Sequence, residues 1–134
     1  MAITYEWRGD FENPEANALH AEAFETRLFG EAEWNWKQLV EHHSLGWVVA
    51  RDDEGLAGFV NVIWDGLAHA WLQDTMVATR VRGRHVGTQI VTVAREGARD
   101  AGCEWLHVDF DEHLRPFYFD ACGFTPTTAG LIQL

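Results

Sequence analysis

The sequence predicts a mixed α/β (α+β) fold: one mainly antiparallel sheet, helices on both faces, and a parallel pair at strands 4 and 5. Three observations carry this expectation. Apolar and polar residues alternate in short runs, as in half-exposed strands. Tight turns at Asp52-Asp-Glu-Gly55 and Asp65-Gly66 join consecutive runs into antiparallel hairpins. A long stretch of helical spacing then separates two apolar runs, and a strand–helix–strand crossover makes its strands parallel.

Each element follows in order. Ile3, Tyr5 and Trp7 alternate with Thr4, Glu6 and Arg8 in a first strand. Asn13-Pro14 opens a helix, with Asn13 as cap and Pro14 at the first helical position. That helix is expected to run to about Phe29 and to end at Gly30. Glu33 to His43 reads as a second helix. Three strands follow as a meander: Gly46–Arg51, Leu56–Trp64 and Ala68–Val77. The helix from about His85 to Ala101 places Val86, Ile90, Val93, Ala94 and Ala101 on one face. Gly102 sits where a left-handed cap glycine belongs. Glu104–Phe110 is a fifth strand, a short helix begins near Leu114, and Gly123-Phe124 leads into a last extended segment. With no repeat or linker, residues 1–134 form a single domain.

Charge is uneven, and that narrows the partners. The formal net charge is −11. Residues 1–78 carry 14 acidic and 4 basic side chains, and residues 79–134 carry 7 and 6. A nucleic-acid binder needs a basic face, and this chain has only a small arginine island. An acidic body with a local positive spot suits an anionic cofactor and a cationic acceptor, although acidity also simply aids solubility. No apolar run reaches the roughly 20 residues needed to cross a bilayer. The start has no signal-peptide pattern, and the two cysteines, Cys103 and Cys122, have no metal spacing. A cytoplasmic location is the expectation.

The stretch Val77-Ala-Thr-Arg-Val-Arg-Gly-Arg-His-Val-Gly-Thr88 is the most informative. It runs from a strand into a helix through two glycines and three arginines, Arg80, Arg82 and Arg84. Unpaired N–H groups of a first helical turn, together with the helix dipole, make an anion site. A phosphorylated cofactor is the expected guest.

This order of elements, with its arginine-glycine turn, resembles the GNAT superfamily of acetyl-CoA-dependent N-acetyltransferases over nearly the whole chain. The family signature has an acidic residue, two residues and a valine, then Arg or Gln-x-x-Gly-x-Gly or Ala. Asp74-Thr-Met-Val77 matches the first part and Arg82-Gly-Arg-His-Val-Gly87 the second. A downstream Phe-Tyr…Gly-Phe segment adds to the likeness. His85 stands where the first glycine usually does. The resemblance implies a GNAT-like sheet and acetyl-CoA as cosubstrate. It also implies that backbone amides of Gly83, Arg84, His85, Val86, Gly87 and Thr88 cradle the CoA pyrophosphate. Arg82 and Arg84 would add charge-assisted bonds. Met76 and Val77 would bind the pantetheine arm where strands 4 and 5 part. His85 either offers its amide to phosphate or is the first helical residue, facing solvent.

The reaction implied is acetyl transfer to a primary amine by direct attack, without a covalent enzyme adduct. A tyrosine after strand 5 often protonates the thiolate in this family, four residues before the glycine. That place is Phe119 here, and Tyr118 lies one residue earlier. One residue rotates a helical side chain by roughly 100°. Either the helix end absorbs the extra residue and Tyr118 reaches the sulfur, or Tyr118 is a core aromatic. Asp74 is the candidate to bind or deprotonate the amine, with Asp109 second; Glu22 and Glu25 are further carboxylates on the first helix. Trp34 and Trp36 stand by an acceptor wall suited to a cation.

Three rival expectations remain. A non-catalytic acyl-CoA-binding or regulatory module would tolerate His85 and the offset Tyr118. His107-x-Asp109-x-Asp111-x-His113 would share one face of an extended strand and suggest a metal, but the strand is expected to end near Phe110 and break the set, so no metal is assigned. Only ten residues follow Phe124, so the last strand is short or a second copy completes the sheet edge as a homodimer. The acceptor class, small molecule or peptide, stays open.

Overall fold

The computed structural model describes residues 2–134. The order is β1 (Thr4–Trp7), α1 (Asn13–Phe24), α2 (Trp36–His43), β2 (Ser44–Asp52), β3 (Gly55–Trp64), β4 (His69–Val77), α3 (Val86–Asp100) and β5 (Trp105–His107). A 3-10 turn at Thr79–Val81 precedes α3, and a π-helical segment, Pro116–Ala121, follows β5. The five strands lie side by side in chain order. Every neighbouring pair is antiparallel except β4–β5, which is parallel, as the crossover through α3 requires. Among the described residues, no helix is long and apolar enough to cross a membrane.

Period-two alternation in β3 sets the two layers. Gly58 faces α3, where a methyl at its position would lie 2.4 Å from Ile90. Its neighbour Phe59 points the other way, edge-on to Phe11 (5.3 Å) and Trp36 (5.8 Å). So α3 covers one face and α1 with α2 the other. The inner stripe of α3 is Val86, Ile90, Val91, Ala94 and Ala98, all buried. Ala101, expected on that stripe, is exposed instead because the helix stops at Asp100. The indole of Trp7 fits a slot made by two glycines, Gly46 on β2 and Gly97 on α3.

Several boundaries differ from the sequence expectation. The N-cap of α1 is Glu12, not Asn13, and Glu12 and Glu15 form a reciprocal capping box. Asn13 is instead buried inside the first turn. Its side chain bonds Asn35 Oδ1 (2.9 Å) and the Lys37 amide (2.9 Å), tying the starts of α1 and α2 together. Helix α1 stops at Phe24, short of Phe29, because Glu25 turns left-handed (φ 53°) and closes the helix end. The chain then folds back, placing Phe29 and Trp34 over His20. Helix α2 starts at Trp36, where Asn35 caps the Gln38 amide. Strand β5 is three residues long and ends before Phe110, whose ring stacks on Tyr118 at 4.6 Å. Residues 123–134 form no strand, and Leu131, Ile132 and Leu134 are exposed.

The Trp7 slot gives a test. Gly-to-Ala inside a helix ordinarily stabilises by up to about 1 kcal/mol. At Gly97 the added methyl would lie 2.7 Å from the Trp7 ring. Gly97→Ala is therefore expected to destabilise, by roughly 1–3 kcal/mol in urea unfolding, and a stabilised variant would refute the slot.

Candidate functional site

The site is built around an irregularity in β4. Phe59 pairs with Met76 and Asn61 with Gln73, so two steps along β3 match three along β4. The extra residue forms a β-bulge, and Asp74 takes the left-handed conformation (φ 57°). Aspartate is one of the few non-glycine residues that tolerate this region. The bulge breaks alternation and turns Asp74 and Thr75 out of the regular ladder. Burial raises the Asp74 pKa above the ordinary carboxylate value, while the field of His20 opposes the rise.

Tyr118 reaches the same bulge from the other side. Its hydroxyl donates to Thr75 Oγ1 at 3.2 Å. The π-helical segment explains how. The Cys122 amide bonds the Phe117 carbonyl, five residues back, at 2.9 Å, so the turn holds one more residue than an α-turn. The extra residue between Tyr118 and Gly123 is absorbed there. The ring is buried and packed by Phe110, Phe117 and Phe124. Desolvation pushes the phenol pKa above its ordinary value, so the hydroxyl keeps its proton at neutral pH.

The parallel pair parts next to this point. β4 and β5 pair at His69–Trp105, Ala70–Leu106 and Trp71–His107. β4 continues to Val77, whereas β5 has ended, which leaves a wedge between them. The Ala78 amide bonds Ala57 on the β3 side at 2.8 Å, so alternation turns the Val77 backbone towards the wedge. Met76 divides differently. Its side chain is fully buried and its carbonyl lies towards Gly58 on β3.

Beyond Val77 the arginine-glycine turn is exposed from Arg82 to His85. His85 is not the first helical residue but the N-cap, left-handed at φ 60° and ψ 22°. The histidine thus adopts the backbone shape that a glycine would take there freely. The first bond of α3 runs from the Gln89 amide to the His85 carbonyl at 3.1 Å. The amides of Val86, Gly87 and Thr88 therefore have no acceptor within the helix. Gly87 lets α3 start close to Phe117, where a methyl would lie 3.1 Å from the ring. Three amides without a helical acceptor, a helix N-terminus and the exposed Arg82 and Arg84 are features that fit a pyrophosphate.

The arginines have separate duties. Arg80 is held by Asp52 through two bonds, 2.8 and 3.0 Å, and pins the turn to the β2–β3 hairpin. That contact holds the Asp52 carboxyl at about 2. Glu22 of α1 accepts from the Thr79 amide, so it braces the turn as well. Arg82 and Arg84 are exposed at the turn, and the field of Arg82 reaches Glu22. Glu25 caps α1, and Asp109 is exposed beyond β5.

Trp36 is core, its indole N–H donating to Asn17 Oδ1 at 2.8 Å. Trp34 is partly exposed and stacks on His20 at 5.9 Å. His20 itself was missed at the sequence level. The available signal was its place on the inner stripe of α1 with Ala16 and Leu19. The His107–His113 set does not assemble: β5 ends at His107, whose Nε2 lies 2.8 Å from His69 Nδ1, and Asp109, Asp111 and His113 are exposed.

The chain matches the family model described as Acetyltransferase (GNAT) family over residues 3–124. It belongs to the GNAT acetyltransferases. Solved structures share the fold at low identity. One is a transcriptional regulator from Bacillus halodurans C-125, 17% identical, covering 99% of each chain, with a TM-score of 0.81. Another is glucosamine-6-phosphate N-acetyltransferase from Arabidopsis thaliana, 15% identical, covering 98% of each, with a TM-score of 0.76. A third is AAC(6')-Iy in complex with the bisubstrate analog CoA-S-monomethyl-acetylneamine, 14% identical, covering 100% of this chain and 98% of that one, with a TM-score of 0.76. No curated protein sequence matches the chain. Acetyl transfer is the activity of this GNAT domain.

His85 supplies the prediction here. A non-glycine residue in the left-handed region costs on the order of 1 kcal/mol. His85→Gly is expected to stabilise the fold by up to that amount in thermal or urea unfolding. An equal or lower stability would mean that the His85 side chain makes a compensating contact.

Proposed function

We propose that the protein is an N-acetyltransferase that moves acetyl from acetyl-CoA to a primary amine by direct attack. The carrying observation is the meeting of Asp74, Thr75 and Tyr118 at the β4 bulge, beside the wedge between β4 and β5. Amides of Gly83, His85, Val86, Gly87 and Thr88, with the side chains of Arg82 and Arg84, hold the pyrophosphate; the Arg84 amide, expected in the cradle, is instead bonded to the Val81 carbonyl at 3.3 Å. Val77 offers its backbone to the pantetheine arm, and Met76 shapes that wall from the core side. Acetyl-CoA supplies the thioester to be attacked.

Asp74 takes the proton of the incoming ammonium, and burial makes it a stronger base than an exposed carboxylate. The amine lone pair then forms the C–N bond. As the C–S bond breaks, the electron pair stays on sulfur, Tyr118 gives it the phenolic proton, and the phenolate takes the second proton from nitrogen as the neutral amide forms. The partly exposed Trp34 suits a cationic acceptor. The AAC(6')-Iy complex, an amine-derived group joined to CoA on the same fold, supports an amine in this place. A single domain acting as a homodimer completes the reading, with light scattering at micromolar concentration as its check; a monomer there would remove the dimer.

Two measurements test the chemistry. Acetyl-CoA and CoA at millimolar concentration are expected to raise Tm, because each binds the folded state alone. No shift with either would sink the cofactor half. In a thiol-release assay over an amine panel, Tyr118→Phe should lower kcat roughly 10²-fold with little change in KM for acetyl-CoA. Binding without turnover on any amine would favour the acyl-CoA-binding module instead.

Asp74→Asn has a two-sided expectation. An acid whose folded pKa is raised costs stability as pH rises through that pKa, so at pH 7 the ionised side chain is a burden. The amide removes the charge and suits the left-handed backbone. Unfolding free energy at pH 7 should therefore rise while turnover falls. A less stable variant with unchanged turnover would contradict both statements.

A further inference from the structure

Two irregularities, each of one residue, converge on a single contact. The bulge lifts Thr75 out of the β4 ladder, and the π-helical turn carries Tyr118 to it, so that the two hydroxyl oxygens lie 3.2 Å apart. Tyr118 is 5% exposed, and its ring is walled by Phe110 at 4.6 Å, Phe117 at 4.8 Å and Phe124 at 5.9 Å. Among the described residues, Thr75 is the one hydrogen-bond partner of the phenol. A strand position beside these rings would be filled as well by valine, so the hydroxyl calls for its own explanation.

The chemistry of the donor supplies one. When a phenol gives its proton to sulfur, a negative charge is left on its oxygen. In an apolar sleeve that charge is costly unless a donor faces it. Burial holds the Tyr118 pKa up, and Cys122 on its own segment and Asp109 after β5 act in the same direction. Asp74, next to Thr75 on β4, is an acid as well. The cations on the neighbouring elements are engaged elsewhere. Arg115 lies over the Phe119 ring at 5.0 Å and 3.5 Å from Glu112, and the field of Arg95 on α3 falls on Cys122.

A hydroxyl is both donor and acceptor, and its hydrogen rotates to suit the partner. With the phenol intact, Tyr118 donates to Thr75. With both hydrogens turned, Thr75 donates to Tyr118, and the phenolic proton is free for sulfur.

We propose that Thr75 is a positioning residue for the proton transfer, its hydroxyl turning to donate to the Tyr118 oxygen as that oxygen loses its proton to the thiolate. This rests on Tyr118 being the proton donor. As the C–S bond breaks, the S–H bond forms and the Tyr118 O–H bond breaks, so the phenolate holds the charge. The bond from Thr75 to the phenolate is charge-assisted and stronger than the neutral bond it replaces. The phenolate then takes the second proton from nitrogen, and the neutral pair is restored. Thr75 keeps its own proton throughout. Its contact is strongest where charge develops, so it raises kcat and leaves cofactor binding alone.

The test is the ionisation of Tyr118 in the wild type, Thr75→Val and Thr75→Ser. Fluorine NMR follows it in protein carrying fluorinated tyrosine, whose more acidic phenol titrates at lower pH. The chain has two tyrosines, so Tyr5→Phe assigns the signal. Thr75→Val should move the Tyr118 titration upward by about one to two pH units, and Thr75→Ser should restore it. With an amine that turns over in the panel, Thr75→Val should lower kcat roughly 10- to 100-fold with KM for acetyl-CoA unchanged. On top of Tyr118→Phe it should cost nothing further. An unmoved titration in folded Thr75→Val overturns the role of Thr75, as does an equal loss of kcat in the Tyr118→Phe background. If Thr75→Val does not fold, Thr75→Ala gives the same two readouts. Full turnover by Tyr118→Phe would overturn the reading of Tyr118 as donor instead, and the proposal with it.

Discussion

One inserted residue in β4 organises the rest of the site. A regular strand would send successive side chains to opposite faces and keep every amide in the ladder. The bulge opposite Phe59–Asn61 interrupts that rule once, at Asp74 and Thr75. It leaves a carboxylate and a hydroxyl, both half-buried, outside the regular ladder. A left-handed aspartate and a partly desolvated carboxyl are both costs. They persist because the flanking pairs, Phe59–Met76 and Asn61–Gln73, are fixed in the ladder, with Phe59, Met76 and Asn61 buried.

A second inserted residue answers the first. The π-helical turn at Pro116–Ala121 takes up the one-residue offset and brings the Tyr118 hydroxyl to Thr75. An α-helical turn would rotate that side chain by roughly 100° away. Gly87 then links this segment to the cofactor turn, since the start of α3 packs against Phe117. The arginine-glycine turn, the Tyr118 segment and the bulge are therefore mechanically joined. Arg80 and Glu22 fasten the same turn to the β2–β3 hairpin and to α1.

Local signals carried most of the fold into the sequence. The meander of β2 to β4 was legible because hairpin turns and period-two runs report neighbouring contacts. So was the long helix α3 with its glycine-rich entry. The misread ends share one cause. Glu25 ends α1 although nothing in its own chemistry stops a helix; the return of the chain over His20 does. β5 closes after three residues because Phe110 is drawn to Tyr118. In both cases a long-range contact overrode a local preference.

The sequence by itself determined the class of fold, the arginine-glycine turn and the candidate residues for acetyl transfer. Each depends on spacing within a few residues. Tertiary structure decided which of them meet. It placed Tyr118 on Thr75, set His85 in a left-handed cap, paired Arg80 with Asp52 and buried His20 beneath Trp34. These outcomes depend on contacts between residues far apart in the chain, and no local pattern encodes them.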